Sequence, residues 1–292
     1  MDGLVIGLDL NDEYTQISCY GKEISWTIPT VICRKKEEEI WLTGEEAYAA
    51  TLLGEGVIVD KLLKMVQKEG TSTIGGVCYT GALLLRIFLQ QVLEYPLKEE
   101  GKKTVSQLVV TMQEMDARLT DTLMYCADAM GISRDRVHVI SHTESFVYYV
   151  LSQKRELWSN QVGLFELAAD RLCYYEMKVQ RGMRRNMVQA EAQNQEEAFD
   201  LDILGTPSGQ KLADQILLPA GKNFEQKLFS TVFLTGKGFE RQDWAGGFMK
   251  LVCSRRRCFV EKELFPGERR LRDRIILIPL PNTPIFLSAR DV

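Results

Sequence analysis

Histidine is nearly absent from this chain of 292 residues, which carries only His138 and His142. Two histidines leave few general bases for acid–base catalysis. Cysteine occurs seven times, but no two cysteines form a CxxC pair, so the sequence does not predict a zinc site. The odd number and wide spacing of the cysteines indicate reduced, buried thiols. His138 stands in an apolar, strand-like run and is expected to be a core residue rather than a base.

Long apolar runs are missing as well. The most leucine-rich stretch, residues 82–93, is interrupted by Arg86 and by two glutamines, which makes it too short and too polar to span a bilayer. The chain begins with Met1-Asp2-Gly3 and lacks the basic and apolar regions of a signal peptide. We therefore expect a cytoplasmic protein with no membrane span.

Charge is distributed unevenly around a net charge of -4. Residues 1–150 carry 14 basic and 22 acidic side chains, whereas residues 151–292 carry 22 basic and 18 acidic ones. This balance argues against a uniformly basic nucleic-acid binder. The C-terminal region is locally basic, with Arg255, Arg256, Arg257, Arg269, Arg270, Arg272 and Arg274. We prefer to interpret it as a solvated or acid-paired surface; a nucleic-acid adaptor, with steeply salt-dependent binding, is the less favoured alternative.

The hydrophobic pattern predicts an alternation of strands and helices. Residues 4–10, 14–20 and 23–28 have the composition of three strands in a meander. Further strands are predicted at 105–111, 136–140, 162–167, 172–179, 228–234 and 255–260, and helices at 44–53, 79–95, 116–130, 144–152 and 244–253. Residues 180–210 are polar and are expected to form a solvated helix or a mobile excursion. The whole pattern predicts a mixed α/β fold with sheets flanked by helices.

Asp9 is the first position that carries recognisable chemistry. It lies at the end of an apolar strand and is followed by a turn at Asn11, Asp12 and Glu13. An acid at such a strand end can hold a metal-bound water beside a phosphate, and the N–H groups of the turn can bind phosphate oxygens. The two carboxylates in the turn would repel a triphosphate unless a metal lay between them. From these residues alone, a hairpin whose Asp9 caps a turn is the preferred interpretation.

The order of segments resembles that of the actin and heat-shock chaperone ATPase superfamily. Gly7-Leu8-Asp9-Leu10, followed by a second strand, is similar to its first phosphate loop, and Val59-Asp60-Lys61 is similar to a stretch with a lysine near the γ-phosphate. Residues 162–179 occupy the place of the second phosphate loop, and residues 232–239 resemble the adenosine motif. Other similar segments are 28–31, 42–47, 105–111, 118–131 and 141–146. The chain also resembles an uncharacterised bacterial family of this superfamily.

The resemblance implies an actin-like (ribonuclease H-like) fold of two lobes, 1–158 and 159–292, with the second lobe reduced or incomplete and a nucleotide site between them. It implies catalytic roles for Asp9, Lys61 and Glu166, and metal binding by Asp9 and Glu166. Nucleotide contacts are implied for Asn11, Asp12, Ala168, Ala169, Gly236, Lys237 and Gly238. The implied cofactor is ATP or ADP with magnesium, and the absence of any cofactor is equally compatible with these residues.

The phosphate loops depart from the superfamily pattern. Residues 11–13 replace a glycine and hydroxyl residues, and residues 168–170 replace a run of glycines. His142 stands where the connecting helix usually begins with an acid. We therefore predict a degenerate member that binds nucleotide weakly or not at all and acts through contacts with an unidentified protein partner. The alternative is a slow magnesium-dependent ATPase or nucleotide switch that uses the cleft between the lobes.

Overall fold

The computed structural model describes residues 3–21, 25–113, 115–168, 172–181, 186–195, 201, 206–225, 227–240, 245–254 and 256–260. They divide after His142 into two compact units. The boundary predicted from the sequence, after residue 158, lies further along the chain and stays a prediction. Both units are α/β, with mixed sheets flanked by helices.

The first unit contains one large and two small sheets. Its strands are β1 (Leu4–Leu10), β2 (Tyr14–Cys19), β3 (Ser25–Pro29), β4 (Ile32–Lys35), β5 (Trp41–Thr43), β6 (Gly56–Val59), β7 (Thr71–Ile74), β8 (Val77–Thr80), β9 (Val105–Met112) and β10 (Val137–Ser141). Five strands form the large sheet in the order β10-β9-β1-β2-β3, β5-β4-β6 form a second sheet, and β7 and β8 form a hairpin. In the large sheet β1, β2 and β3 are antiparallel, whereas β9 and β10 extend it in parallel.

Four helices complete the first unit: α1 (Gly44–Leu52), α2 (Leu62–Gln67), α3 (Gly81–Glu99) and α4 (Ala117–Ala129). The core forms because Ile6, Leu8 and Leu10 share one face of β1 and join the apolar sides of α2, α3 and α4 in a single cluster. The predicted helix at 116–130 is confirmed, with Asp116 accepting a hydrogen bond from Leu119 N at its beginning and Gly131 at positive φ after its end.

The described residues of the second unit form one large sheet and three α-helices. Its strands are β11 (Gln161–Leu167), β12 (Leu172–Arg181), β13 (Asn186–Gln195), β14 (Phe229–Thr235) and β15 (Arg257–Val260), in the order β13-β12-β11-β14-β15. The helices are α5 (His142–Ser152), which begins at the last residue of the first unit, α6 (Pro207–Glu225) and α7 (Gly246–Cys253). The sheet packs against α6 and α7 in a hydrophobic core that includes Phe165, Leu217 and Phe248. On α5, Phe146 contacts Tyr175 and Tyr149 contacts Phe233, so these aromatics serve packing.

One strand topology occurs in both units. In each, three consecutive strands form an antiparallel meander, and two later strands extend the sheet beside the first strand, in parallel and each after a helix. This repeat is not visible in the sequence, because the two copies share side-chain character at only a few positions.

The registers of the two sheets repeat in detail. β1 joins β9 with a bulge after Leu4, and β11 joins β14 with a bulge after Gln161. Ser106 and Ser230 are the residues left over at these bulges. Each hydroxyl bonds to the backbone at the start of the first strand: Ser106 donates to Leu4 O at 2.9 Å and Ser230 accepts from Asn160 N at 2.7 Å.

Several sequence predictions need correction. Residues 186–195 form the strand β13 rather than a helix or excursion, because the run pairs with β12 over its full length. His138 is exposed on the edge strand β10 and is not a core residue. Cys253 and Cys258 are joined by a disulfide, so the reduced state was wrong for this pair, while Cys78 is exposed rather than buried.

Other predictions were incomplete or concern residues that the structure does not describe. The hydrophobic pattern does not predict the part of α6 that follows residue 210. Of the basic C-terminal region, Arg255, Arg269, Arg270, Arg272 and Arg274 lie outside the described residues. Within the described part of the chain, no helix combines the length and apolar character needed to cross a membrane.

Candidate functional site

The carboxyl end of β1 carries a buried acid–imidazole pair. Asp9 and His142 are 2% and 3% exposed, and His142 Nε2 lies 2.7 Å from Asp9 Oδ1. An ionised carboxylate only accepts hydrogen bonds, so with Asp9 ionised the contact requires a proton on Nε2. Asp9 therefore already has a partner that neutralises or solvates it inside the protein.

The turn after β1 is held by its own side chain. Asn11 Oδ1 accepts hydrogen bonds from the N–H groups of Glu13 and Tyr14, both at 2.9 Å. This local arrangement is typical of asparagine at the beginning of a turn. The N–H groups of residues 13 and 14, which a phosphate loop would direct at its ligand, are used inside the turn.

Asp12 binds the beginning of α2. Its Oδ1 accepts from Leu63 N at 2.7 Å and its two oxygens accept from Lys64 N at 3.3 and 3.4 Å. These are among the N–H groups that a helix leaves unpaired at its first turn. Burial raises the pKa of Asp12 above its ordinary value, although the two N–H donors act in the opposite direction. Asp12 thus supplies a helix cap from 51 residues away in the chain.

Lys61 lies immediately before α2 and is exposed. Its backbone has φ 51° and ψ 45°, the left-handed conformation that non-glycine residues seldom adopt. The structure brings Lys61 to the same end of the first unit as Asn11 and Asp12, through the contact of Asp12 with α2.

The corresponding acid of the second unit also has a partner. Register places Glu166 beside Thr235 on the parallel strand β14, as it places Asp9 beside Thr111 on β9. Glu166 is 6% exposed, and its Oε2 accepts a hydrogen bond from Tyr175 Oη at 2.6 Å. Burial raises the pKa of Tyr175 well above its ordinary value, and the charge of Glu166 raises it further, so the phenol stays protonated and donates.

The glycines of the predicted adenosine motif lie against Leu167. Gly236 has φ +92°, and an added Cβ would collide with the Leu167 carbonyl oxygen. An added Cβ at Gly238 would collide with the Leu167 side chain. Both positions require glycine for this close approach, whether or not a nucleotide is bound. Ala168, next to Leu167, is half-buried, Lys237 is exposed, and Ala169 lies outside the described residues.

The structure thus brings the predicted site residues together in two groups, one in each unit. Asp9, Asn11, Asp12 and Lys61 belong to the first, and Glu166, Ala168, Gly236, Lys237 and Gly238 to the second. That the two groups form a single site stays a prediction.

A magnesium nucleotide does not fit the side chains as they are engaged. Magnesium in such sites is held by carboxylates together with waters and phosphates. Asp9 contacts His142, Glu166 contacts Tyr175, and Asp12 caps a helix. Among the residues that the structure describes, no group of three or more His, Cys, Asp or Glu side chains could hold a metal ion. The catalytic and metal roles implied for Asp9, Lys61 and Glu166 stay predictions.

The sequence does not predict the hydrogen-bond partners of the two buried acids, Asp9 and Glu166. The sequence marks His142 only by its departure from the superfamily pattern, and it gives Tyr175 no distinguishing feature. The alternation of β12, with Cys173 and Tyr175 on the face that carries Glu166, is the only signal that could have suggested the second pair.

The fold and these groups define a two-unit α/β protein with a buried acid at the same position of each large sheet. Residues 13–266 match the model of a family described as "Family of unknown function (DUF5716) C-terminal". The match covers most of the chain, and the chain belongs to this family. No curated protein matches it.

Proposed function

We propose that the chain is a degenerate member of the actin and heat-shock chaperone ATPase superfamily, which binds nucleotide weakly or not at all and acts through protein contacts. The two-lobe, actin-like fold is part of this proposal. The repetition of one strand topology in two consecutive units supports it, since a two-lobe fold of this type needs two similar sheets.

The contact between Asp9 and His142 carries the functional part of the proposal. A carboxylate that orders magnesium-bound water must face that water, whereas Asp9 is buried and holds an imidazole at 2.7 Å. The engagement of Asn11 and Asp12 points the same way, because the backbone N–H groups of residues 13, 14, 63 and 64 that these side chains hold are not left for phosphate oxygens. For this reason the proposal assigns the function to protein contacts rather than to a nucleotide.

A slow ATPase is the second candidate. The observation that favours it is the equivalent placement of Asp9 and Glu166, each beside a buried threonine of the neighbouring parallel strand. In such an enzyme Asp9 and Glu166 would hold the magnesium, Lys61 would neutralise the γ-phosphate, and the magnesium would offset charge on the phosphates.

Phosphate release from ATP distinguishes the two candidates. We expect turnover of the wild-type chain to equal the rate without protein, and Asp9→Asn and Lys61→Ala to leave it unchanged. Magnesium-dependent turnover that both substitutions abolish would establish the ATPase and overturn the proposal. His138→Ala, an exposed change on β10, serves as the matched control.

A further inference from the structure

Helix α1 carries an apolar stripe that nothing in the described structure covers. Leu52 and Leu53 are 88% and 73% exposed, and Tyr48, one turn before Leu52, is 42% exposed. Two adjacent leucines at this exposure, with an exposed tyrosine one turn before them, form an apolar stripe of the kind that marks interaction sites. The opposite side of α1 is already used, since Ala47 and Ala50 pack on Val31 and Cys33.

Two acidic side chains precede this stripe on α1. Glu45 and Glu46 are exposed in the first turn of α1, which has no basic residue in its last turn. Burial raises the pKa of Tyr48, and the charges of Asp60, Glu45 and Glu13 raise it further.

We propose that the stripe Tyr48–Leu52–Leu53 is a docking surface for an amphipathic helix of another protein, with leucine-like side chains on one face and lysines or arginines beside them. The inference rests on the proposed function, in that it specifies the protein contact. Charge complementarity decides the occupant: an apolar ridge with carboxylates at its edges favours an apolar face with cations at its edges.

A second copy of the chain is the less suitable occupant. A symmetric contact between two α1 helices would repeat the same residues on both sides. Glu45 and Glu46 of one copy would then meet a helix that offers no basic side chain in its last turn. Like charges at such a contact weaken it.

The test is a fluorescence-anisotropy titration of the whole chain with a labelled peptide of about 18 residues, built from leucine at helical spacing and lysine elsewhere. We expect saturable binding that weakens as salt rises. Leu52→Ser combined with Leu53→Ser should weaken binding about tenfold or more. Glu45→Gln combined with Glu46→Gln should weaken it about threefold or more and flatten its salt dependence.

Matched controls separate this surface from general attraction. Leu228→Ser changes a leucine of similar exposure in the other unit, and Asp121→Asn with Asp128→Asn removes two exposed acids from α4. Both should leave binding unchanged, and a peptide with glutamate in place of lysine should not bind. Circular dichroism of each variant checks that it is folded.

Three results would overturn the proposal: no binding, equal binding by the Leu52/Leu53 variant, or concentration-dependent self-association that this variant abolishes. Its failure is distinct from failure of the proposed function. Loss of peptide binding with no ATP turnover removes only the docking surface, whereas magnesium-dependent turnover removes the proposed function whatever the peptide does.

Discussion

At the scale of single residues, the candidate site is defined by side chains that are already occupied. Asp9 could be selected from the sequence because an acid at the end of an apolar strand is visible there. The partner of Asp9 could not be selected in this way, since His142 lies 133 positions further along the chain and no local pattern connects the two residues. The same holds for Asp12, whose acidity is visible in the sequence but whose contact with α2 depends on the fold.

Removal of the imidazole should be costly. His142→Ala leaves Asp9 buried without its partner, and we expect the free energy of unfolding to fall by about 3 kcal/mol. Urea denaturation of wild type and variant measures this difference. The only other histidine, His138, is exposed, and His138→Ala should change stability by less than about 0.5 kcal/mol. Equal effects of the two substitutions would contradict the buried pair.

The carboxyl of Asp12 should give stability a particular pH dependence. Its pKa in the folded protein is raised above the ordinary value of 3.8. The protonated form is therefore favoured by folding, so this contribution is complete below 3.8 and is lost as pH rises through the raised pKa. Asp12→Asn keeps an oxygen acceptor for Leu63 N and does not titrate, so it should gain stability relative to wild type between about pH 3.5 and about pH 7.

Urea denaturation at several pH values measures this gain, and Asp12→Ala provides the comparison. Loss of the cap should make the alanine variant less stable than the asparagine variant by about 1 kcal/mol at each pH. If the stability of the wild-type chain instead rose relative to that of Asp12→Asn as pH rises, the upward shift assigned to the pKa of Asp12 would be wrong.

At the scale of elements, apolar runs were sufficient to predict β1, β2, β9, β11 and β14, because these strands are buried on at least one face. β13 was missed because Gln and Glu dominate its composition, although Val188, Ala190 and Ala192 alternate as a half-buried strand requires. The α6 helix was missed because two glycines and two prolines interrupt its pattern.

The contact between β11 and the turn after β14 can be tested by a double-mutant cycle. Gly238→Ala should lower the free energy of unfolding by about 1 to 3 kcal/mol, because its Cβ meets the Leu167 side chain. Leu167→Ala removes that obstacle, so the double variant should lose less than the sum of the single losses.

Gly236→Ala is the control for this cycle. Its Cβ would meet the carbonyl oxygen of Leu167, which Leu167→Ala does not remove, and its φ of +92° is strained for alanine. We therefore expect no rescue at Gly236. Additive losses for Gly238 and Leu167 would show that the predicted collision does not occur.

At the scale of the whole molecule, the repeat of sheet topology is the feature that sequence alone did not give. Asp9 and Glu166 occupy equivalent register positions, yet their neighbours Leu8 and Phe165, and Asn11 and Ala168, differ in size or polarity. Backbone register is set by hydrogen bonds and by which face is buried, so it persists where side-chain identity does not. The superfamily resemblance drawn from the order of segments stays a prediction.

Calorimetric titration of the whole chain with ATP and with ADP, with and without magnesium, tests the central claim most directly. With Asp9 held by His142, we predict no saturable heat for either nucleotide up to about 1 mM and no effect of magnesium. Saturable, magnesium-dependent binding at micromolar concentration, lost on Asp9→Asn, would contradict the account.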